Sequence, residues 1–407
     1  MLYLIVIILL AILAYKYDFQ DQSSNKEFWY RFIFVVLVLI AGLRYRVGAD
    51  TINYIFRFYH EVPYLWDIKA EDLELGNDPM FLLLNSFVRS VGGRFYVVQF
   101  LQAIFVNGLI MAYIKKHSQF IFSCTFLYFI WCYFFYNFEE MRASMSLAIC
   151  LYANDYILEK KWRKGVVLYL FSSLFHFSSV ALLLTPLFLF LRFNFIGYVF
   201  LFLSFFIGFL IQAKFGDYLM LFDFSDEVAN KAESYSNSED QFEQKINLVG
   251  VITNRFFYIL YSIVAFFYIK YKSLQGDSTI LKFQPFVLLG LSFVLFSIPM
   301  PICYRYIRFY EIYFIFFFVH FFVDLVKNNL LLSKSLAFAR AFVILLPFLN
   351  IISHGYRDQF GKSWSHRVYY YTRFYPYSSI FEKSTDKDRE YFYRNWDIGE
   401  QVNKNEY

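Results

Sequence analysis

Long apolar runs constrain this sequence more than any other feature. Runs of about 18 or more apolar residues recur along the 407-residue chain, and each can cross a hydrocarbon core of roughly 30 Å. Hydrophobic residues make up 59% of the chain and charged residues only 17%, which excludes an ordinary soluble domain. Backbone groups in lipid must bond within the protein, and these runs are too long for barrel strands. The sequence therefore predicts an all-α, polytopic membrane protein.

The apolar runs predict about 11 transmembrane helices. The first run has no positive n-region and no cleavage site, so we expect a retained helix and not a signal peptide. The pieces at 165–176 and 178–191 are short and predict either two half-depth helices or one broken helix. The predicted spans lie near residues 1–15, 29–43, 95–114, 118–136, 141–158, 165–176, 178–191, 195–212, 248–269, 283–300, 307–326 and 336–353.

The distribution of lysine and arginine predicts the orientation. With the N-terminus outside, the inside loops are rich in lysine, most clearly at Lys160, Lys161 and Lys164. Arginine is concentrated on the opposite face, where membrane topology does not require it, so it must serve another role there.

The predicted domain organisation follows from this orientation. Residues 1–353 form a transmembrane domain with outer loops over 44–94 and 213–247. The first loop contains a short apolar piece, a re-entrant or surface helix, and the second is acidic and predicts a mobile loop. Residues 354–407 form an aromatic, Arg-rich tail at the outer membrane interface.

Residues 42–54 are the most unusual stretch, with the sequence GLRYRVGADTINY. Arg44 and Arg46 follow directly after an apolar run of transmembrane length, and Asp50 and Tyr54 come next. Arginine at the mouth of a membrane helix is costly unless an anion or water receives it. The stretch therefore predicts an anion site.

Three further arginines lie at predicted helix starts on the same side. Arg142 begins one helix, and Arg305 and Arg308, three residues apart, begin another on one face. A guanidinium matches phosphate oxygens with two parallel donors, so the set predicts a diphosphate socket. The structural alternative is local pairing, of Arg308 with Glu311 and of Arg142 with Glu139.

A histidine and two carboxylates are candidates for proton transfer. His176, followed by Ser178, interrupts an apolar run, where it can act as a base or donate to a sugar or phosphate. The alternative is a polar break satisfied by its neighbours. Asp50 and Asp78 can accept a proton or orient an arginine, and Asp78 before Pro79 is also a turn or N-cap signal.

Other chemistry finds little support. The four cysteines share no metal-ligand spacing and predict packing residues, so we expect no metal and no cofactor. No nucleotide-binding glycine motif occurs, and the net charge of +5 does not predict a nucleic-acid partner. Tyr377, in the aromatic tail, can stack on a sugar or sit at the membrane interface.

These residues resemble the Wzy-type repeat-unit polymerases, in particular the EpsG-like group. Two departures stand out: Ala143 replaces a frequent glutamine after Arg142, and Asp78 replaces a frequent glutamate before Pro79. The resemblance rests on residues 42–54 and on the shorter motifs MRAS at 141–144, FHFS at 175–178, RYIRFY at 305–310 and YPY at 375–377.

The resemblance implies a GT-C-like glycosyltransferase that works without a nucleotide sugar. The implied reaction moves a growing glycan from undecaprenyl diphosphate to the non-reducing end of another undecaprenyl-diphosphate-linked repeat unit. It would take place on the outer face of the bacterial cytoplasmic membrane, with a chain-length regulator as a further expected partner.

The implied roles of the candidate residues fall into three groups. His176 or Asp50 is the base or the group that positions the acceptor. Five arginines bind the diphosphate, namely Arg44, Arg46, Arg142, Arg305 and Arg308. The glycan-binding or supporting residues are Asp78, Tyr54, Ser178, Glu311 and Tyr377.

Four other classes of protein compete with this interpretation. A lipid-linked glycan ligase, or another lipid-diphosphate-dependent sugar transferase, would share the helices and the arginines. A polysaccharide flippase would need its charges deep in the membrane, and a membrane O-acyltransferase would need fewer outer arginines. A purely structural membrane protein would leave residues 44–50 unexplained.

Overall fold

The computed structural model describes residues 2–212, 248–275, 280–300, 303–327, 370–384, 386 and 389. Throughout these ranges the regular structure is helical. Two isolated β-bridges, which pair Arg44 with Ser379 and Ser379 with Glu382, are the extended pairings within them. The predicted helical class is therefore confirmed for the described part of the chain.

Most of the α-helices coincide with apolar runs. In chain order they are α1 Leu2–Ala14, α2 Lys26–Gly42, α3 Thr51–His60, α4 Pro79–Ser90, α5 Phe95–His117, α6 Ile121–Trp131, α7 Met141–Leu158, α8 Trp162–Ser173, α9 Phe195–Gln212, α10 Leu248–Gln275, α11 Gln284–Phe296, α12 Tyr304–Ile307 and α13 Glu311–Lys327. Two π-helices, Tyr15–Phe19 and Phe135–Glu139, follow α1 and α6. The 3-10 helices are Leu65–Asp67, Glu71–Leu73, Leu75–Asn77, Phe177–Phe188, Leu281–Phe283, Arg308–Tyr310 and Tyr370–Arg373.

Three helical stretches within the described ranges are long and apolar enough to cross a membrane: Leu2–Phe19, Phe95–His117 and Tyr304–Asp324. Shorter apolar helices accompany them, and the chain is polytopic by this measure. The count of about 11 crossings stays a prediction. The predicted span at 336–353, the loop at 213–247 and most of the tail lie outside the described residues.

The two short apolar pieces around His176 form a broken helix. The α8 helix ends at Ser173, and a 3-10 helix occupies Phe177–Phe188. The intervening turn carries His176, whose backbone N–H donates to the carbonyl of Ser172 at 3.3 Å. The break therefore places the histidine outside a regular helix.

The chain divides into two compact units. The first contains Met1–Tyr152, Leu170–Ser179 and Ile351–Tyr407, and the second contains Ala153–Tyr169 and Val180–Asn350. The assignment of 1–353 and 354–407 as separate domains stays a prediction.

In the first unit, α2 packs against α5 and α1 packs against α6. Tyrosine hydroxyls cross-link these helices by donating to backbone carbonyls, as Tyr30 does to Met111 at 2.7 Å. Buried hydroxyls need such partners, because an unpaired polar group in an apolar core is costly. The result is a framework that fixes the loops at the helix ends.

In the second unit, α9 packs against α11. Polar side chains pair inside it: the Asn154 amide donates to the Tyr313 hydroxyl at 2.8 Å. Lys272 lies 2.8 Å from Asp324, and the Tyr268 hydroxyl donates to the same carboxylate at 2.6 Å. Lys272 and Asp324 thus compensate each other's charge, as burial requires.

Candidate functional site

The loop after α2 is held by the side chain of Arg44, which has no exposed surface. Its guanidinium donates to the carbonyls of Ala41 at 2.5 Å and Val47 at 3.1 Å, and lies 3.5 Å from the sulfur of Met141. It also sits 4.8 Å from the centre of the Phe138 ring. Arg44 thus ties the end of α2 to the start of α7, and a diphosphate would reach it only after these contacts broke.

The same loop has an unusual backbone. Arg46 adopts a left-handed φ of 52°, and its side chain is 7% exposed. Gly48 has a φ of +106°, and a Cβ there would lie 2.4 Å from the carbonyl oxygen of Phe138. Thr51 donates to the Val47 carbonyl at 2.7 Å, which closes the loop at the start of α3. Only glycine fits position 48 without strain.

The described part of the C-terminal region packs along this loop. The Tyr45 N–H donates to the Ser378 carbonyl at 2.8 Å, and the Ile380 N–H donates to the Leu43 carbonyl at 2.9 Å. These bonds give the loop a strand-like partner that comes from more than 300 positions away in the sequence.

Three further contacts bind the C-terminal region to the loop, to the π-helix Phe135–Glu139 and to α2. The Gly48 N–H donates to the Arg373 carbonyl at 2.8 Å. The Arg373 guanidinium donates to Glu139 at 2.9 Å, and both side chains are largely buried. The Tyr377 hydroxyl donates to the Ile40 carbonyl at 3.1 Å, so this hydroxyl supports the end of α2.

Asp78 lies at the start of α4 with a left-handed φ of 53° and is 3% exposed. Its carboxylate does not cap α4. It instead accepts the N–H of Phe177 at 2.9 Å, while the Met80 N–H donates to the Leu174 carbonyl at 2.9 Å. The first turn of α4 is therefore bonded to the turn that carries His176. Asp78 occupies the N-cap position that the sequence predicted, although its carboxylate bonds to Phe177 and not to α4.

One oxygen of Asp78 faces two other candidate residues. Arg142 Nη1 lies 2.6 Å from Asp78 Oδ2, and His176 Nδ1 lies 3.5 Å from the same oxygen. The carboxylate side chain is only 4% exposed, whereas those of Arg142 and His176 are 28% and 26% exposed. A buried carboxylate thus holds a cation and an imidazole that both reach the surface. The arrangement can present two nitrogen donors to an anion, or one donor and one base.

The electrostatics favour an ionised carboxylate. Burial raises the pKa of Asp78, but the hydrogen bond from His176 and the charge of Arg142 outweigh this effect and hold the pKa below its usual value. The Arg142 guanidinium also lies 5.9 Å from the centre of the Tyr54 ring, which stacks in parallel on Phe95 at 6.5 Å. Tyr54 therefore belongs to the same cluster.

Asp50 and Ser178 flank this cluster in the sequence. Asp50 is the residue before α3 and is partly exposed; its carbonyl accepts the Tyr54 N–H at 3.0 Å, and its side chain does not cap the helix. Ser178 is partly exposed and follows Phe177, whose N–H binds Asp78.

The remaining predicted arginines belong to the second unit. Arg308 is 8% exposed, and its Nη1 donates to Glu311 at 2.8 Å, which confirms the local pairing considered for it. Arg305 lies on α12 and is exposed. The two residues therefore do not share one environment, although they are three positions apart.

Two buried glutamines support the site, and the sequence analysis did not predict them. Gln99 donates to the Arg44 carbonyl at 3.0 Å, and Gln102 donates to the Tyr136 carbonyl and the Ser144 hydroxyl, each at 3.1 Å. Both lie on α5 and have no exposed surface. The available signal was two amides three residues apart in an apolar helix, where each must find a partner.

Within the residues that the structure describes, no group of three or more His, Cys, Asp or Glu side chains is placed to hold a metal ion. The expectation that the reaction needs no metal stays a prediction.

Comparisons with known proteins identify the family of the chain. A search of curated proteins and a search of solved structures each gave no match. The sequence profile of the EpsG family matches residues 27–379, which include every candidate residue described above. This match covers well over half of the chain, and it confirms the resemblance carried by residues 42–54 and the shorter motifs. The chain therefore belongs to the EpsG family.

Proposed function

We propose that the protein polymerises lipid-linked oligosaccharide repeat units. The growing glycan moves from undecaprenyl diphosphate to the non-reducing end of a second undecaprenyl-diphosphate-linked unit, on the outer face of the bacterial cytoplasmic membrane. Membership of the EpsG family and the apolar helices support this function. The observation that carries the site is the single Asp78 oxygen that faces both Arg142 and His176.

Arg142 is the proposed ligand for the leaving diphosphate. Its guanidinium is partly exposed, and one of its nitrogens is fixed by Asp78 at 2.6 Å. The Tyr54 hydroxyl engages the same guanidinium, and the donors that neither residue uses are held in a fixed orientation, so they need no reorganisation when charge develops on the leaving oxygen. Donors placed in advance stabilise a transition state more than mobile ones do.

His176 is the proposed base. When Asp78 accepts a hydrogen bond from Nδ1, the imidazole keeps its lone pair on Nε2, which can take the proton of the acceptor hydroxyl. A separation of 3.5 Å is long for such a bond, and catalytic hydrogen bonds often shorten when substrate binds. Asp78 then acts as a positioning residue for both partners.

The bonds balance without a cofactor. The acceptor oxygen forms a bond to the anomeric carbon of the donor sugar as the bond from that carbon to the diphosphate oxygen breaks. The acceptor proton passes to His176, and undecaprenyl diphosphate leaves with both bonding electrons. We therefore expect activity to persist in a metal chelator.

The other predicted residues of the first unit take supporting roles. Arg44 holds the loop that precedes α3, Arg46 is buried in the same loop, and Tyr377 holds the end of α2. Tyr54 provides an aromatic surface beside Arg142. Ser178 remains a candidate glycan contact and Asp50 a candidate for positioning the acceptor, because both are partly exposed.

The candidate residues of the second unit need a test of their own. They are Arg305, Arg308 and Glu311. Arg308 is committed to Glu311, so we assign that pair to stability. Arg305 is exposed and is retained as a diphosphate-binding candidate. Its replacement by alanine should reduce polymerisation without a loss of thermal stability.

Reconstitution tests the reaction directly. Purified protein, incubated with lipid-diphosphate-linked repeat units, chelator and no nucleotide, should give a ladder of products. His176→Ala should lower kcat by roughly 10²–10⁴-fold, the range for loss of a general base, with little change in KM. His60→Ala, which removes an exposed histidine at the end of α3, is the matched control.

Gene deletion separates polymerisation from its alternatives. A polymerase predicts carriers capped with a single repeat unit, and loss of all surface glycan would favour a ligase or a flippase. Normal chains in the deletion strain would contradict polymerisation, as would a reconstituted protein that makes no ladder.

A further inference from the structure

An exposed aromatic pair stands between α3 and α4. The rings of Tyr64 and Trp66 stack with their centres 5.2 Å apart and their planes within 2° of parallel. Trp66 is 71% exposed, so one face of its indole is open to solvent. Large aromatic side chains this exposed usually belong to a binding surface or a membrane interface.

Arg89 supports the aromatic pair through the ring of Tyr64. The Arg89 guanidinium lies 4.6 Å from the centre of the Tyr64 ring and donates to the carbonyls of Val62 and Phe58. The result is a stack of guanidinium, phenol and indole in sequence. The indole is thus presented on a prepared support, which lowers the entropy that a ligand would otherwise have to overcome.

The surrounding charge indicates what this surface accepts. Residues 61–77 carry five carboxylates and a single lysine, Lys69. An anionic lipid surface attracts basic segments and repels acidic ones, so this segment is poorly suited to lie on phospholipid headgroups. Carboxylates beside an open aromatic face suit a polyhydroxylated ligand, whose hydroxyls donate to oxygen while its C–H face covers the ring.

The α4 helix sets the distance from the catalytic cluster. Asp78 precedes its first residue, and Ser90 at its last residue accepts the Leu65 N–H at 2.8 Å. Twelve helical residues span about 18 Å at 1.5 Å each. The aromatic pair is therefore anchored at one end of α4 and the catalytic cluster at the other, a separation that an oligosaccharide of several sugars can bridge.

We propose that Tyr64 and Trp66 form a glycan-binding platform that holds the saccharide chain several sugars away from the bond-forming site. This inference rests on the proposed function and adds a distal subsite to it. The open face of Trp66 stacks on a sugar ring, and exposed carboxylates such as Asp67 accept bonds from its hydroxyls. A chain held there stays bound between successive additions.

Two measurements test the platform. The first is the affinity of the purified full-length protein, in detergent, for oligosaccharides released by partial acid hydrolysis of the host cell's surface polysaccharide. The second is the length distribution of the reconstituted ladder. The variants are Trp66→Ala and Trp66→Phe, and the matched control is Trp162→Ala, an exposed tryptophan of the second unit.

Trp66→Ala should weaken oligosaccharide binding by roughly fivefold to tenfold, the scale of one lost aromatic contact. It should also shorten the ladder while the joining of two single units stays close to the wild-type rate. Trp66→Phe should recover most of the affinity, and Trp162→Ala should match wild type in both measurements.

Wild-type affinity and ladder length in Trp66→Ala would overturn the platform, and so would an equal loss in Trp162→Ala. Failure of the wild-type protein to bind the oligosaccharides would also overturn it. A wild-type protein that binds them but makes no ladder would contradict only the proposed function, and the affinities of the variants would still decide the platform.

Discussion

Arg142 Nη1 lies 2.6 Å from Asp78 Oδ2, and the two residues belong to different helix starts. The carboxylate is buried and the guanidinium is partly exposed. We therefore expect Asp78 to orient the guanidinium and Arg142 to contact the substrate.

Replacement of Arg142 should remove activity and cost stability for separate reasons. Arg142→Ala leaves the Asp78 carboxylate buried without this cation, which should lower the free energy of unfolding by about 1–3 kcal/mol. The double variant Arg142→Ala/Asp78→Asn should regain stability but no polymerisation. Arg31→Ala, in an exposed pair with Glu27, should change stability by less than about 1 kcal/mol and leave the ladder intact. A ladder of wild-type length from Arg142→Ala would refute the assignment.

Acid should weaken the site through Asp78. Its folded-state pKa lies below the ordinary value near 3.9, so its contribution to stability is present above about pH 4 and is lost as pH falls through the folded pKa. The thermal unfolding midpoint of the wild type, measured in detergent between pH 7 and pH 3, should fall more steeply at the acid end than that of Asp78→Asn. Parallel curves would mean that this carboxyl is not coupled to Arg142 and His176 as described.

The ion pair between Arg373 and Glu139 should join the C-terminal region to the start of α7. Glu139 lies in the π-helix that ends two residues before α7, which carries Arg142. Because the pair is largely buried, Arg373→Ala should lower the free energy of unfolding by up to about 3–5 kcal/mol.

A double-mutant cycle with Glu139→Gln measures the coupling of this pair. The double variant should be more stable than the sum of the two single losses, because neither charge is then left buried alone. Additive losses would show that the two side chains act independently. Ladder synthesis by each variant, compared at equal folded fraction, reports whether the pair also positions Arg142.

Gly48 should tolerate no side chain. An alanine there would combine a left-handed backbone with a Cβ 2.4 Å from the Phe138 carbonyl oxygen, so Gly48→Ala should cost about 2–3 kcal/mol or more. Gly92 is the matched control, since it also has positive φ but no atom lies within 4 Å of its would-be Cβ. Gly92→Ala should cost only about 1 kcal/mol. Equal losses in thermal stability would show that contact with Phe138 is unimportant.

Several parts of the molecule were predictable because they depend on local pattern. Apolar runs of transmembrane length predicted the helices, and the bounds of α7 agree with the predicted 141–158. The break at His176 was predicted from a polar interruption in an apolar run, and the pairing of Arg308 with Glu311 from helical spacing. Each of these features joins residues that are close in the sequence.

Partner choice over long range was not predictable in the same way. Arg142 was considered beside Glu139, its neighbour in sequence, but the carboxylate 2.6 Å from it is Asp78, and Glu139 accepts from Arg373. Arg44, expected to face a diphosphate, turns into the core. Helix packing decides which of several nearby charged side chains form a pair. The order of residues along the chain does not indicate which pair forms.

The sequence by itself determined the helical membrane class and the EpsG family, because hydrophobicity and short motifs are local properties. Only the tertiary structure decided that one buried carboxylate, Asp78, serves both Arg142 and His176. That oxygen is brought to them by the packing of α4 against the turn after α8, which no single segment encodes.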